Sequence, residues 1–385
     1  MRRLLFILLA SISIGAYAQT VQHFPVRDSM RTYVRLLFTG DAMQHSPQFK
    51  MAWDSKTKTY NYEPNFRYLK SYIQSADVNI INVETTFPGS DYCGYPRFRT
   101  PDPFFHAMVD AGFQVFTLAN NHVLDGENIK QYDLVVPCCF ISEISEERTL
   151  NLMKDHPTMG AYLNQQERVA HYPIVVQVGA IKIALFNATY GTNDLKPAKP
   201  NSVNYINKKQ IEQDMATSLQ DSTIDLRIMY IHWGTEYELA YNAEQRKMAQ
   251  WLANLGFDAI IGSHPHVVQG VELLQSSDGR LVPVAYSLGN LISNQRWQNA
   301  NGGAMALLDI DVETKELLSL DIIPVYVHKG RLGGKGDADY PNTNNYYCIP
   351  TTDYLDGKLP FYLPSKEVNE LKIHHQNTTK RTKRK

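Results

Sequence analysis

The stretch Gly262-Ser263-His264-Pro265-His266-Val267-Val268-Gln269 decides how the rest of the chain is read. It follows an apolar run, Asp258-Ala259-Ile260-Ile261, which predicts a buried strand. Glycine and proline mark the turn that leaves this strand. Proline fixes its own φ and restricts its predecessor, so the turn is stiff. Two imidazoles one residue apart on such a turn can face one point in space, which suits a metal ion. Taken alone, the stretch also describes a surface turn with two solvated histidines. Four other polar clusters, each following an apolar strand, give it weight.

Working outward, residues 224–231 predict a strand that delivers His232-Trp233-Gly234-Thr235-Glu236-Tyr237. Residues 243–255 form an amphipathic helix stopped by Gly256. Near the N-terminus, the strand at 34–39 ends in Gly40-Asp41, where Asp41 by itself reads as a turn or helix cap. The strand at 78–84 ends in Asn82-Val83-Glu84, whose two polar side chains share one face. The strand at 113–118 runs into Ala119-Asn120-Asn121-His122-Val123-Leu124-Asp125-Gly126. A plain turn explains one asparagine and the Asp-Gly pair, but not two amides, an imidazole and a carboxylate together.

The remaining elements follow from the same signals. Helices are expected at 66–75, at 103–111 before Gly112, and at 206–219. A hairpin is expected over 175–186 around Gly179-Ala180, and strands at 283–287, 302–312 and 319–327. Residues 19–33 read as a connecting arm, 143–148 as the start of a solvated helix, and 187–204 as a loop that is either an ordinary surface excursion, the favoured reading, or the rim of a site. The basic tail 380–385 reads as disordered and solvated.

Composition sets outer bounds. The 385 residues, 43% of them hydrophobic, allow a substantial core. The formal net charge of −1 does not mark a nucleic-acid binder, and no nucleic-acid partner is expected. Arg2-Arg3, an apolar run over 4–14 and Ala16-Tyr17-Ala18 form the pattern of a secretory signal, with cleavage expected after Ala18. The mature protein is therefore expected outside the cytoplasm: periplasmic, extracellular or envelope-associated. Cys93, Cys138, Cys139 and Cys348 contain no Cys-x-x-Cys, which disfavours a thiolate zinc site.

In an α/β sheet the strand ends line one edge, so clusters far apart in sequence meet there. The set is then Asp41, Glu84, Asn121, His122, His232, His264 and His266. Oxygen and imidazole donors without thiolate suit two divalent ions of Mn, Fe or Zn better than Ca. Two such ions can clamp both the attacking and leaving oxygens of a phosphoryl transfer.

The motifs Gly40-Asp41, Asn82-Val83-Glu84, Asn120-Asn121-His122, His232-Trp233-Gly234, Gly262-Ser263-His264-Pro265-His266 and Tyr286-Ser287-Leu288-Gly289-Asn290 also carry a resemblance. The chain resembles the CapA (PgsA-like) capsule-synthesis family within the calcineurin-like metallophosphoesterase superfamily. The resemblance implies a four-layer α/β/β/α metallophosphatase-like sandwich over 34–330, followed by a C-terminal extension at 331–385. By similarity, Asp41 and His266 are ligands of a first metal and Glu84 is the bridging carboxylate. Asn121, His232 and His264 would then bind a second metal. His122 would protonate the leaving group, and Trp233, Glu236 and Tyr237 would belong to the pocket. Asn82 and Asp125 are further candidates.

Two motifs depart from the superfamily pattern, and in one of them the bridging aspartate is here the glutamate Glu84. The usual Asp-x-His is here Asp41-Ala42-Met43, and His45 is the candidate substitute. The resemblance implies either a metal-dependent phosphoesterase or a non-catalytic assembly or export factor for a poly-γ-glutamate-like capsule. The implied partners are a cell-envelope or capsular polymer or its precursor, and capsule synthase subunits.

Overall fold

Along the strand Tyr33–Ala42, Val34, Leu36 and Phe38 alternate with Leu37, and the two sets bury in different cores. The same division holds on Gly302–Asp311, where Ala304, Ala306 and Leu308 oppose Met305 and Leu307. Side chains on a strand alternate faces, so a strand apolar on both faces must lie between two layers. A computed structural model, which describes residues 20–126, 145–334 and 343–383, shows those layers.

One sheet has the strand order Val21–Phe24, Ile174–Val178, Ile181–Thr189, Leu226–His232, Ala259–Ser263, Leu281–Ala285, Val271–Gln275. The other runs Asn345–Pro350, Leu317–Gly330, Gly302–Asp311, Tyr33–Ala42, Val78–Val83, Val115–Thr117, Thr158–Met159, with Asn290–Ile292 also paired to Tyr33–Ala42. The sheets pack face to face through one core, where Phe38 stacks on Tyr230 with ring centroids 6.4 Å apart. The Tyr230 hydroxyl crosses between the sheets to donate to the Thr39 carbonyl at 2.8 Å.

Helices Lys208–Gln220 and Ala243–Leu255 add Ile211, Met215, Leu252 and Ala253 to this core. Helix Pro103–Ala111 and the short helices around residues 63–75 cover the far face of the second sheet with Phe66, Ile73, Phe104 and Met108. The result is the α/β/β/α sandwich that the resemblance implies.

Several local expectations change. The 19–33 arm contributes Val21–Phe24, a strand parallel to Ile174–Val178. The helix expected at 66–75 is three short pieces beginning at Glu63. The helix Ser145–Met153 is not solvated: its first turn buries Ser145 and Glu146. Past residue 330, where no motif was read, Asn345–Pro350 pairs antiparallel with Leu317–Gly330. The leader at 1–18, Cys138, Cys139, Arg384 and Lys385 lie outside the described residues. Cys93 and Cys348 are buried and do not pair with each other. Among the described residues, no helix is long and apolar enough to cross a membrane.

The basic tail is also corrected, because helix Ser365–Thr382 carries its start. Leu371, His374 and Thr378 recur at helical spacing and are buried, which holds the helix to the protein. The His374 Nε2–H donates to the Gly303 carbonyl at 3.0 Å. Burial lowers the His374 pKa from its ordinary 6.5 to about 4. The unfolded chain therefore takes up this proton before the folded one. The stability held by neutral His374 is complete above about pH 6.5 and is lost as pH falls through about 4. The loss amounts to roughly 3 kcal/mol. His374→Gln, which keeps a donor, is expected to flatten the acid side of the unfolding free energy. Urea titrations of both proteins across that window check it, and identical slopes would refute it.

Candidate metal centre

Two glycines bring the sheet edges together. A Cβ on Gly40 would lie 1.9 Å from the Gly289 carbonyl oxygen, and one on Gly262 would lie 2.0 Å from that of Tyr286. The segment Tyr286-Ser287-Leu288-Gly289-Asn290 passes directly over both backbones. Leu288 N–H donates to Gly262 O at 3.0 Å, and Gly289 O accepts from Asp41 N–H at 2.9 Å. Any side chain at 40 or 262 would meet backbone and force the sheets apart. This crossing sets the Asp41 strand end against the His264 turn, and the His264 N–H donates to Asp41 Oδ2 at 3.2 Å.

The turn is strained. His264 has φ 99° and His266 φ 58°, left-handed values that side chains with a Cβ rarely adopt. Such strain persists where surrounding structure imposes it, and it clusters at functional sites. Here it aims both rings inward. The Tyr237 N–H secures the turn by donating to the Pro265 carbonyl at 2.8 Å.

Two groups of potential ligands result, Asp41, Glu84 and His266, and Glu84, His232 and His264, each with its donor atoms within 4.8 Å of one another. All five residues are buried, and Glu84 belongs to both groups. The Asp41 Oδ2 to His266 Nδ1 separation is 3.4 Å, and Glu84 Oε1 lies 3.7 Å from His232 Nε2. Asn121 Oδ1 stands 2.9 Å from the same His232 Nε2, while His232 Nδ1 lies 2.8 Å from Ser263 Oγ.

The polar atoms left without protein partners test whether cations fit. Both Glu84 carboxylate oxygens and the Nδ1 atoms of His264 and His266 are buried with no hydrogen bond. A buried, unbonded carboxylate is costly, and a divalent cation meets these atoms at once. Burial, and then the nearby Asp41 charge, push the Glu84 pKa well above the carboxylate range. Burial, and then neighbouring imidazoles, hold His232 and His264 well below the ordinary histidine value, in the neutral form that ligates metal. The donors suit Zn, Mn or Fe.

The other sequence candidates surround this centre. Asn82 is a support: its Nδ2 donates to Asp41 Oδ1 at 2.8 Å, and its Oδ1 accepts from Thr117 and Asn120. His122 Nδ1 pairs with Asp125 Oδ2 at 2.7 Å, and that oxygen also accepts the Phe98 N–H at 2.6 Å. Glu236 is half exposed, 4.0 Å from His266 Nε2.

Two candidates are not among these donors. His45 is in neither ligand group; its Nδ1 faces Gln48 and accepts from the Asn294 N–H, and its ring packs on Phe98. Trp233 is not a pocket wall, because it is buried and its Nε1–H donates to the Tyr286 carbonyl at 2.9 Å. Of the two readings of the 187–204 segment, the contacts support the one in which it rims the site. Tyr190 packs on His264 at 4.5 Å between centroids, and Asn193 Oδ1 accepts from Asn121 Nδ2 at 3.3 Å. Only the richness of that loop in asparagine hinted at this.

Fold and site together define a two-sheet α/β/β/α protein with two candidate metal groups sharing one carboxylate at the strand ends. The chain belongs to the bacterial capsule synthesis protein family PGA_cap, whose model matches residues 35–129 and 145–295. It is 23% identical over 397 residues to the capsule biosynthesis protein CapA of Bacillus anthracis, covering 98% of this chain and 87% of that one. It is also 23% identical over 321 residues to the PGA biosynthesis protein CapA of Bacillus subtilis (strain 168), covering 83% and 71%. Among solved structures it is similar to a novel phosphatase of Mycoplasma pneumoniae, with TM-score 0.42, 16% identity and coverage of 76% of this chain and 94% of that one. It is also similar to the calcineurin-like phosphoesterase YfkN of Bacillus subtilis, with TM-score 0.40, 12% identity and coverage of 90% and 98%.

Proposed function

We propose that the protein is an exported, metal-dependent hydrolase that cleaves a phosphoester or related bond in a cell-envelope or capsular polymer or its precursor. The observation that carries this reading is the pair of ligand groups sharing Glu84, with the His122–Asp125 pair beside them. Asp41, His266 and Glu84 would hold one divalent cation; Glu84, His232 and His264, with Asn121, would hold the other. When bound, the cations supply Lewis acidity and acidify water.

The chain's own residues do the rest. Asn82 fixes the Asp41 carboxylate through one oxygen. Asp125 occupies His122 Nδ1, which leaves Nε2 as the nitrogen that hands a proton to the departing oxygen. The Phe98 ring stands edge-on to His122 at 4.5 Å and limits its rotation.

A second reading is a non-catalytic assembly or export factor for a poly-γ-glutamate-like capsule. It is favoured by Met43 standing where the superfamily carries a histidine, while His45 Nδ1 faces Gln48 and accepts the Asn294 N–H. Hydrolysis of bis(p-nitrophenyl) phosphate and p-nitrophenyl phosphate, with Mn or Zn added, separates the two. Metal-stimulated turnover is expected. Bound metal without turnover on either compound would favour the assembly role.

A further inference from the structure

Aromatic rings that stay exposed beside a buried polar centre call for an explanation. Tyr190, Tyr237 and Trp297 do so here, at 47%, 41% and 51% exposure. Each is tied to the centre by packing. Tyr190 lies over His264 and runs nearly parallel to His232, at 11° between planes. Tyr237 stands 5.8 Å from the His266 ring, and Trp297 meets Tyr237 edge-on at 5.2 Å. Two aromatic walls thus extend outward from the ligand histidines.

The second wall is positioned at a cost. Tyr237 has φ 65°, a left-handed value that is strained for a bulky side chain. Two contacts impose it: the bond from its N–H to Pro265, and Gln295 Nε2 donating to its hydroxyl at 3.1 Å. A core tyrosine does not need such an arrangement. A ring held out toward solvent next to a reactive centre is accounted for if it contacts what binds there.

The charges on the rim narrow the occupant. Glu236, its side chain 43% exposed, lies 4.0 Å from His266 Nε2 and acts on both the Tyr190 and the Tyr237 hydroxyls. The exposed charged groups acting on the Tyr190 hydroxyl, Glu236 and Asp194, are both acidic, while Glu84 lies buried beneath them as a ligand candidate. A polyanion would meet like charge at Glu236 and Asp194, outward of the cations that Asp41 and Glu84 would hold. A caged ammonium is also a poor match, because cation–π attraction is strongest when the cation is desolvated and these rings are open. Open aromatic faces flanked by a carboxylate and an amide fit an uncharged, hydroxylated ring. Its C–H face lies on the aromatic side chains, and its hydroxyls donate to the carboxylate.

We propose that Tyr190, Tyr237 and Trp297, with Glu236, form a subsite for an uncharged glycosyl ring next to the metal centre. This rests on the hydrolase reading only in placing that ring within the substrate. The subsite itself is testable without turnover.

The full metal-loaded chain is titrated by calorimetry with two neutral disaccharides, cellobiose and N,N′-diacetylchitobiose. Neither has a phosphoester, so the heat reports binding alone. Saturable, salt-insensitive binding of at least one is expected. Trp297→Ala and Tyr190→Ala should each weaken it about tenfold, the scale of one lost stacking contact, with metal content unchanged. Binding of a disaccharide without any phosphoesterase activity would support the subsite while refuting the hydrolase reading. The subsite is overturned if neither disaccharide binds or if binding survives both substitutions. It is equally overturned if poly-glutamate or tetramethylammonium binds instead and is lost in Trp297→Ala.

Discussion

Replacing Glu84 by glutamine is expected to strip the protein of both cations and, in the same variant, to leave the metal-free fold no less stable than the wild type. The two effects share one cause. Glu84 is the only residue common to both ligand groups, and it is fully buried with both oxygens unbonded by protein. Loss of partners that merely orient metal ligands typically costs 10–100-fold in affinity, so loss of the shared carboxylate is expected to cost on the order of 100-fold or more. Without metal, burial and then the nearby Asp41 charge oppose ionisation of Glu84, a penalty that the neutral amide does not carry.

Elemental analysis and thermal melts with and without chelator read both effects. Wild type should gain stability on metal loading, by about 4 kcal/mol at free metal a thousand times above Kd. Glu84→Gln should show no metal-dependent gain. A variant that retains both equivalents would refute the shared-ligand assignment.

His122→Ala is expected to lower metal-stimulated hydrolysis by about 10²–10⁴-fold, the usual contribution of a positioned general acid. Metal content should stay at the wild-type value, because His122 belongs to neither ligand group. Its ring is set by the Asp125 bond at Nδ1 and by Phe98. Asp125→Asn keeps the shape but removes the charge that orients the imidazole, so a smaller loss is expected there. Parallel kcat measurements and metal assays on both variants check this. Turnover that survives His122→Ala would refute its role as proton donor, whatever the metal content.

Much of the architecture was legible because its causes are local. The apolar runs before Gly40, Glu84, Asn120, His232 and Gly262 each lead into a site residue, and a buried strand ending in a turn needs only neighbouring residues to announce it. Helix Ala243–Leu255 and its Gly256 stop are read from apolar spacing and one conformationally free residue.

Where local rules were applied alone they misled. The basic run at 380–385 reads as solvated, yet its first residues close a helix held by Leu371, His374 and Thr378 further back. The 19–33 arm lacks a long apolar run, yet Val21–Phe24 pairs with Ile174–Val178, far along the chain, and no local signal reports such a partner.

The sequence by itself determined which residue types stand at the strand ends, and hence a nitrogen and oxygen donor set without thiolate. The resemblance already implied that Glu84 is shared; only the tertiary structure decided that His45 Nδ1 turns to Gln48 and Asn294, that Trp233 points into the core, and that Tyr190 covers His264. The physical reason is distance along the chain. Donor types are carried residue by residue. Their convergence depends on two sheets packing face to face, with a backbone crossing at Gly40 and Gly262 that admits no side chain.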